Sequence, residues 1–251
     1  MIRAVVLDVE GTTSSARHVY EHLFPYSYRL LPSWVAARGD DPRVVEALRE
    51  AATIAGRPDA PRHEVIAVLR DWIEQDLKIT PLKTIQGLMW QDGLAAGALT
   101  SHVYDDVPPA LQEWTRRGLT VHIFSSGSVA AQRAWFRYST HGDLSRYLTG
   151  FFDTANAGGK RSPDSYRAIT RVIGVPPAAT VFLSDVTAEL DAARSAGWHT
   201  VAVRRDDAPS LAGDHLTITT FEELDLTLDP PGRRPLRADG PASRTSALER
   251  L

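Results

Sequence analysis

Two carboxylates follow a short apolar run near the start of the chain. The run Arg3–Leu7 is β-branched, which is typical of a buried strand, and Asp8 follows it directly, with Glu10 two residues later. Residues 11–13, Gly-Thr-Thr, supply a tight turn. Open α/β sheets bind their ligands at such strand ends. There Asp8 can attack an electrophile and Glu10 can exchange protons, while a divalent cation reduces the repulsion between them.

Polar groups also follow later apolar runs. Ser125 and Ser126 come after one run, Asp185 comes after another, and Lys160 lies in a glycine-rich loop before a predicted helix. The serines offer hydroxyl and amide donors to phosphate oxygens, and a helix that begins near residue 128 adds its dipole. Lys160 can neutralise a phosphate and the charge of an attacking Asp8. Asp8 and Asp185 are hard oxygen ligands, which suit Mg²⁺.

Each of these features alone has an ordinary explanation. Asp8 can cap a turn, the serines can begin a helix, and Lys160 can be a solvated loop residue. Asp185, with Ser184 before it, can cap the helix that follows, and Glu189 can be a charge on the surface of that helix. Their occurrence in order at successive strand ends is less ordinary. The set therefore indicates phosphoryl transfer from a small phosphorylated substrate, with Mg²⁺ as the cofactor.

The fold class follows from alternating strand and helix patterns. Strands are predicted at Arg3–Leu7, Thr120–Phe124, Thr180–Leu183 and His199–Val203, and helices at Gln132–Tyr138, Asp164–Ile173 and Ala188–Ala196. This alternation is typical of an α/β fold with a doubly wound, mostly parallel sheet.

More than a hundred residues separate the first two predicted strands, far more than one crossover needs. This stretch is patterned as helices punctuated by prolines. We predict a catalytic core made of residues 1–13 and 104–228 and a helical cap made of residues 14–103, placed as a lid beside the site. The alternative is that these helices only flank the sheet.

Composition excludes several functions. The chain has no cysteine, so thiolate catalysis, disulfides and cysteine-bound zinc are excluded, and a net charge of −3 gives no support for nucleic-acid binding. Neither a signal peptide nor a membrane span is recognisable, so a cytoplasmic protein with no membrane partner is expected. The sequence contains no GxSxG, Walker or HExxH motif. Residues 229–251, rich in Pro, Gly, Arg and Ser, are predicted to be a disordered tail.

The order of motifs resembles that of the haloacid dehalogenase-like aspartyl phosphatases. Most members of that superfamily have a second Asp two places after the nucleophile, whereas DVEGTT here has Glu10 at that place. With that departure, the similarity is to the enolase-phosphatase (acireductone synthase) family. It rests on LFPY at 23–26, IQGLMWQDG at 85–93, HVYDDVPPAL at 102–111, SSGSVAAQ at 125–132 and FLSDVTAELDAA at 182–193.

The resemblance implies that a diketone phosphate of methionine salvage is first enolised and then dephosphorylated, with Mg²⁺ as cofactor, by a monomer. By motif, Asp8 is the nucleophile and a metal ligand, Glu10 lies beside the metal and transfers protons, and Asp185 completes the metal site. Ser125, Ser126 and Lys160 bind the substrate, and Lys160 is catalytic as well. Glu189 lies next to these residues and does not itself contact the substrate. The enolisation base stays open between Glu10 and Asp8.

Three other functions are weighed against this one. The first is another phosphatase of the same superfamily, acting on a small phosphorylated metabolite. The second is a metal-free dehalogenase, which has no need of Asp185. The third is an interaction protein that retains the fold without activity, against which the presence of Asp8, Lys160 and Asp185 argues.

Overall fold

The computed structural model describes residues 1–77, 79–205, 214–224 and 226. Within these residues the strands are β1 (Ala4–Leu7), β2 (Thr120–Phe124), β3 (Gly150–Phe152), β4 (Thr180–Ser184), β5 (His199–Val203) and β6 (Leu216–Ile218). They form one parallel sheet in the order β3-β2-β1-β4-β5-β6. Because β2 and β4 lie on either side of β1, the order of strands reverses beside β1.

The α-helices in the same part of the chain are α1 (Ala16–His18), α2 (Phe24–Arg38), α3 (Pro42–Ile54), α4 (Arg62–Glu74), α5 (Thr80–Ala95), α6 (Val107–Arg116), α7 (Val129–Arg137), α8 (Pro163–Ile173) and α9 (Thr187–Ser195). A π-helical segment, Val19–Leu23, joins α1 to α2. No helix of the described residues is both long and apolar enough to cross a bilayer.

The sheet is covered on both faces. All four residues of β1 are fully buried, and because side chains alternate along a strand, Val5 and Leu7 pack into one hydrophobic cluster while Val6 packs into another. Helices α6 and α7 contribute to the first cluster, and helices α8 and α9 contribute to the second. This burial on both sides is what an all-parallel sheet requires.

Helices α2 to α5, which follow β1 and precede α6, have a hydrophobic core of their own. It joins Leu31 and Val35 of α2 to residues of α3, α4 and α5, including Leu82 and Met89. Phe24 and Trp90 pack against both this core and that of the sheet. We call these helices the cap; its limits at residues 14 and 103 remain a prediction.

The structure confirms the α/β fold and all four predicted strands to within one residue at either end. The three predicted helices are also present, although each begins one to three residues earlier than predicted, at α7, α8 and α9. The three-residue strands β3 and β6 were not predicted. The predicted tail, residues 229–251, lies outside the described residues.

Candidate active site

The strand register brings the predicted site residues to one edge of the sheet. Leu7, the last residue of β1, pairs with Ile123 of β2 on one side and with Leu183 of β4 on the other. Asp8 therefore follows β1 between the ends of its two neighbours. This position is the point where the strand order reverses, which is where open α/β sheets bind ligands.

Asp8 is 4% exposed and is held by three groups. Its Oδ1 accepts hydrogen bonds from the backbone N–H of Val9 at 2.7 Å and from Nζ of Lys160 at 2.6 Å. Its Oδ2 lies 3.2 Å from the hydroxyl of Ser184. A carboxylate fixed in this way keeps one orientation, as a nucleophile requires.

The turn after Asp8 is tightly wound. The carbonyl of Val9 accepts hydrogen bonds from the backbone N–H groups of residues 12–14, at 2.9 to 3.3 Å. Gly11 has a φ of 73°, which favours glycine, and a Cβ at this residue would lie 2.2 Å from Oδ2 of Asp185. Glycine is thus needed for the turn to pass against Asp185.

Lys160 bridges two carboxylates. Its Nζ lies 2.6 Å from Oδ1 of Asp8 and 2.6 Å from Oε2 of Glu189, and the side chain is 9% exposed. Burial acts to lower the pKa of Lys160, but the charges of Asp8 and Glu189 outweigh it, so this pKa lies above its ordinary value. The two carboxylates therefore favour the charged ammonium. The hydroxyl of Tyr166 holds the backbone of Lys160 by donating to its carbonyl at 2.7 Å.

Asp185 is the least satisfied carboxylate of the site. Its Oδ1 is buried and has no hydrogen-bond partner. Burial, followed by the charge of Asp8, raises the pKa of Asp185 to about 7. Burial also raises the pKa of Glu189, and Asp8 adds to this effect while Lys160 opposes it.

The charges of the site do not balance. Asp8, Asp185 and Glu189 are opposed by the single ammonium of Lys160, which leaves an excess of about two negative charges when all three acids are ionised. A divalent cation has the charge that offsets this excess, and the unpartnered Oδ1 of Asp185 is an oxygen ligand of the kind Mg²⁺ prefers. The residues present therefore fit a magnesium ion.

Glu10 is placed differently from Asp8 and Asp185. It is exposed, on the turn after β1, where it forms an isolated bridge with Ser14. Among the described residues, no group of three His, Asp or Glu side chains has the geometry of a metal site. The three-residue metal set Asp8, Glu10 and Asp185 thus remains a prediction. Two carboxylates suffice for Mg²⁺, which usually keeps several waters and substrate oxygens as ligands.

Ser125 and Ser126 follow β2, as predicted, on the other side of Asp8. Ser125 is buried and its hydroxyl accepts a hydrogen bond from the backbone N–H of Gly127 at 3.2 Å, while Ser126 is exposed. Gln132 fixes this loop by donating to the carbonyl of Gly127 at 2.6 Å. Ser128 then caps α7 through the backbone N–H of Ala131, at 3.3 Å.

Sequence reasoning missed three residues that support this arrangement. Asp153, after β3, accepts a hydrogen bond from the backbone N–H of Val129, at the start of α7, at 2.9 Å. Lys83 of the cap donates to the carbonyl of Ser126 at 3.0 Å. Arg205, 8% exposed, lies after β5. No sequence signal marks Lys83 or Arg205, and Asp153 was missed because β3 was missed.

Arg205 connects the turn after Asp8 to the segment that returns from the cap. Its Nε donates to the carbonyl of Thr12 at 2.9 Å, and its Nη1 donates to Oδ2 of Asp106 at 2.8 Å. The guanidinium lies over the rings of Tyr104 and Phe221, with its central carbon 4.4 and 4.8 Å from their centres. Arg205 thereby helps to fix the backbone that presents Asp8.

Comparisons with known proteins show the family of the chain. The family model of haloacid dehalogenase-like hydrolases matches residues 2–197. The chain is 48% identical to the Enolase-phosphatase E1 of Streptomyces avermitilis over 223 residues, 88% of this chain and 93% of that protein. It is 49% identical to the Enolase-phosphatase E1 of Frankia alni over 220 residues, 87% of this chain and 93% of that protein.

A solved structure also resembles the whole fold. The Unknown transcript 4 protein of Saccharomyces cerevisiae superimposes with a TM-score of 0.73 and 31% sequence identity, over 89% of this chain and 100% of that one. The similarity therefore includes the cap as well as the sheet.

Proposed function

This chain belongs to the enolase-phosphatase family of haloacid dehalogenase-like hydrolases, and from that premise we propose the reaction it performs. It converts 2,3-diketo-5-methylthiopentyl-1-phosphate into the acireductone, 1,2-dihydroxy-3-keto-5-methylthiopentene, and phosphate, a step of methionine salvage. The observation that supports this most is the position of Asp8, which is buried between Lys160 and the end of β4, the strand that Asp185 follows.

Magnesium is the proposed cofactor. Asp8 and Asp185 would hold it, with Glu10 beside it on the exposed turn. When bound, Mg²⁺ supplies positive charge to the phosphoryl oxygens and reduces their repulsion from the carboxylates. The unpartnered Oδ1 of Asp185 supports this assignment.

In the phosphatase half of the reaction, a carboxylate oxygen of Asp8 attacks phosphorus, and the bond from phosphorus to the substrate oxygen breaks. Lys160 and the serines of the loop, Ser125 and Ser126, bind the phosphoryl oxygens. Glu10 donates a proton to the leaving oxygen and then accepts one from the water that hydrolyses the aspartyl phosphate. Phosphate leaves and Asp8 is regenerated.

The enolase half removes a proton from C1, the carbon that bears the phosphate. The electron pair of the broken bond forms the C1–C2 double bond, and the C2 carbonyl oxygen becomes an enolate that is then protonated. Glu10 and Asp8 are the two candidate bases. The cap excludes water from the enol before the second half of the reaction begins.

An assay with the diketone phosphate tests this function. It follows the enol by its absorbance and free phosphate at the same time, with and without Mg²⁺. We expect a transient enol before phosphate appears, and we expect Asp8→Asn to abolish phosphate release because an amide is a poor nucleophile. Phosphate release without an enol indicates a different phosphatase, and metal-dependent turnover by Asp8→Asn refutes the role of Asp8.

The proposal extends to the rest of the molecule. Residues 14–103 are the cap, and residues 1–13 and 104–228 are the catalytic core. The protein acts as a cytoplasmic monomer on a small phosphorylated substrate, with no nucleic-acid or membrane partner. Sedimentation analysis of the purified chain tests the monomeric state.

A further inference from the structure

Helix α5 of the cap has two packed faces. Leu82, Ile85 and Met89 belong to the core of the cap, while Leu94 belongs to the core beside the sheet. Lys83 is eleven residues before Leu94, close to three helical turns, so the two share one side of α5. Lys83 therefore faces the catalytic core.

On that side, α5 comes close to the loop that follows β2. Nζ of Lys83 donates to the carbonyl of Ser126 at 3.0 Å. One turn further along α5, a Cβ on Gly87 would lie 3.9 Å from Oγ of Ser128, within van der Waals contact. The cap thus brings a cation to the loop whose serines are proposed to bind the phosphate.

A second polar side chain lies beside Lys83. Gln86, three residues along α5, is 5% exposed, and its Nε2 is buried without a hydrogen-bond partner. A buried amide donor without an acceptor destabilises the folded chain, so a partner for it is expected. Residues three apart on a helix are neighbours on its surface, about 5–6 Å apart at Cβ. The two side chains therefore offer an ammonium and an unused amide donor at the boundary between cap and core.

We propose that Lys83 and Gln86 form a subsite of the cap that binds the two carbonyl oxygens of the substrate, and that Lys83 stabilises the enolate. The inference rests on the proposed function. The serines and Lys160 of the core bind the phosphate, whereas the cap recognises the diketone.

The chemistry of enolisation explains why a cation is needed there. When the base takes the proton from C1, negative charge develops on the C2 oxygen. That oxygen is separated from phosphorus only by the ester oxygen, C1 and C2. A side chain that contacts the phosphate loop can therefore also contact the C2 oxygen. When substrate binds, the ammonium of Lys83 leaves the carbonyl of Ser126 and donates to the C2 oxygen instead. Donors placed where charge develops stabilise the transition state more than the ground state.

Two assays separate this role from a purely structural one. The first measures enol formation from the diketone phosphate, and the second measures hydrolysis of p-nitrophenyl phosphate, which has no carbonyl group to enolise. We expect Lys83→Met to slow enolisation by about 100-fold, equivalent to about 2.7 kcal/mol. The loss of p-nitrophenyl phosphate hydrolysis should be at least tenfold smaller.

Further variants complete the test. Lys83→Arg should restore enolisation to within tenfold of the wild type, and Gln86→Leu should raise KM for the diketone phosphate at least fivefold. Arg49→Met is the matched control, because it removes a cation from an exposed cap residue that pairs only with its own helix, and it should change neither assay. Circular dichroism at the assay temperature verifies that each variant is folded.

Each outcome decides the matter. Equal losses in both assays, or no loss of enolisation in Lys83→Met while the wild type forms the enol, overturn the inference and leave the proposed function standing. A wild type that releases phosphate from the diketone phosphate without an enol overturns the proposed function and this inference with it.

Discussion

Asp185 should make the metal-free protein less stable at neutral pH. Its pKa rises from an ordinary value of 3.8 to about 7 in the folded chain, because burial and the charge of Asp8 disfavour the carboxylate. Between pH 4 and pH 7, Asp185 is therefore protonated in the folded chain and ionised in the unfolded chain. The contribution of protonated Asp185 to the free energy of unfolding is fully present below pH 4 and is lost as the pH rises through 7.

The size of this effect follows from the shift. About three pH units correspond to roughly 4 kcal/mol at pH 8, which is an upper limit because the side chain is partly exposed. In Asp185→Asn the charge is gone, but the amide adds a buried donor without an acceptor, which costs about 1–3 kcal/mol. We therefore expect the variant to be about 1–3 kcal/mol more stable than the wild type in EDTA at pH 8.

Urea denaturation with EDTA, at pH 5 and at pH 8, measures this difference. The gain should be largest at pH 8, and Asp164→Asn, a change at an exposed acid that pairs with the exposed Arg167 of its own helix, should stay within about 0.5 kcal/mol of the wild type. Saturating Mg²⁺, at a hundred times its Kd, should stabilise the wild type by about 2.7 kcal/mol and Asp185→Asn much less. An Asp185→Asn variant no more stable than the wild type in EDTA, or stabilised equally by Mg²⁺, refutes the reasoning.

Two further predictions concern two buried side chains, His122 in the sheet and Arg205 behind the turn after Asp8. His122 in β2 is 4% exposed with neither ring nitrogen hydrogen-bonded, and burial lowers its pKa to about 4. The contribution of neutral His122 to the free energy of unfolding is lost as the pH falls through 6.5 toward 4. Between pH 7.5 and pH 5, the free energy of unfolding measured in urea should therefore fall by about 2 kcal/mol more in the wild type than in His122→Leu. An equal loss contradicts this, and the exposed His63→Asn should behave as the wild type. Arg205→Met leaves the carboxylate of Asp106 without its buried partner, and should lower the free energy of unfolding by about 3–5 kcal/mol. Adding Asp106→Asn should recover part of this loss, and strictly additive losses in a double-mutant cycle contradict the pairing.

The strands that position Asp8 could be predicted from sequence because their signal is local. Continuous β-branched runs, as in Arg3–Leu7, are typical of strands buried on both faces, and all four such runs are strands. Strands β3 and β6 have three residues each, too few for a pattern to be distinguished from a loop. Missing β3 hid Asp153, since its role depends on following that strand.

The polar partners in the site depend on tertiary packing. The sequence indicated that Lys160 lies near Asp8, and the structure places Nζ of Lys160 2.6 Å from Asp8, with Glu189 equally close. The position of Lys83 could not be predicted, because it depends on how α5 packs on α7, and no local pattern encodes that packing. Arg205 meets Thr12 across 193 positions of the chain, so no spacing rule connects them.

The chain leaves the sheet after β1 and returns towards it, before α6, at almost the same place. The backbone N–H of Tyr104, after the cap, donates to the carbonyl of Thr13, before the cap, at 3.1 Å. A few linking residues can therefore close that gap, and the helices they replace have a hydrophobic core of their own. An exchange of these helices therefore needs to join the chain at only one place, but the replacement must also restore the contacts that Phe24, Trp90 and Leu94 make with the core beside the sheet.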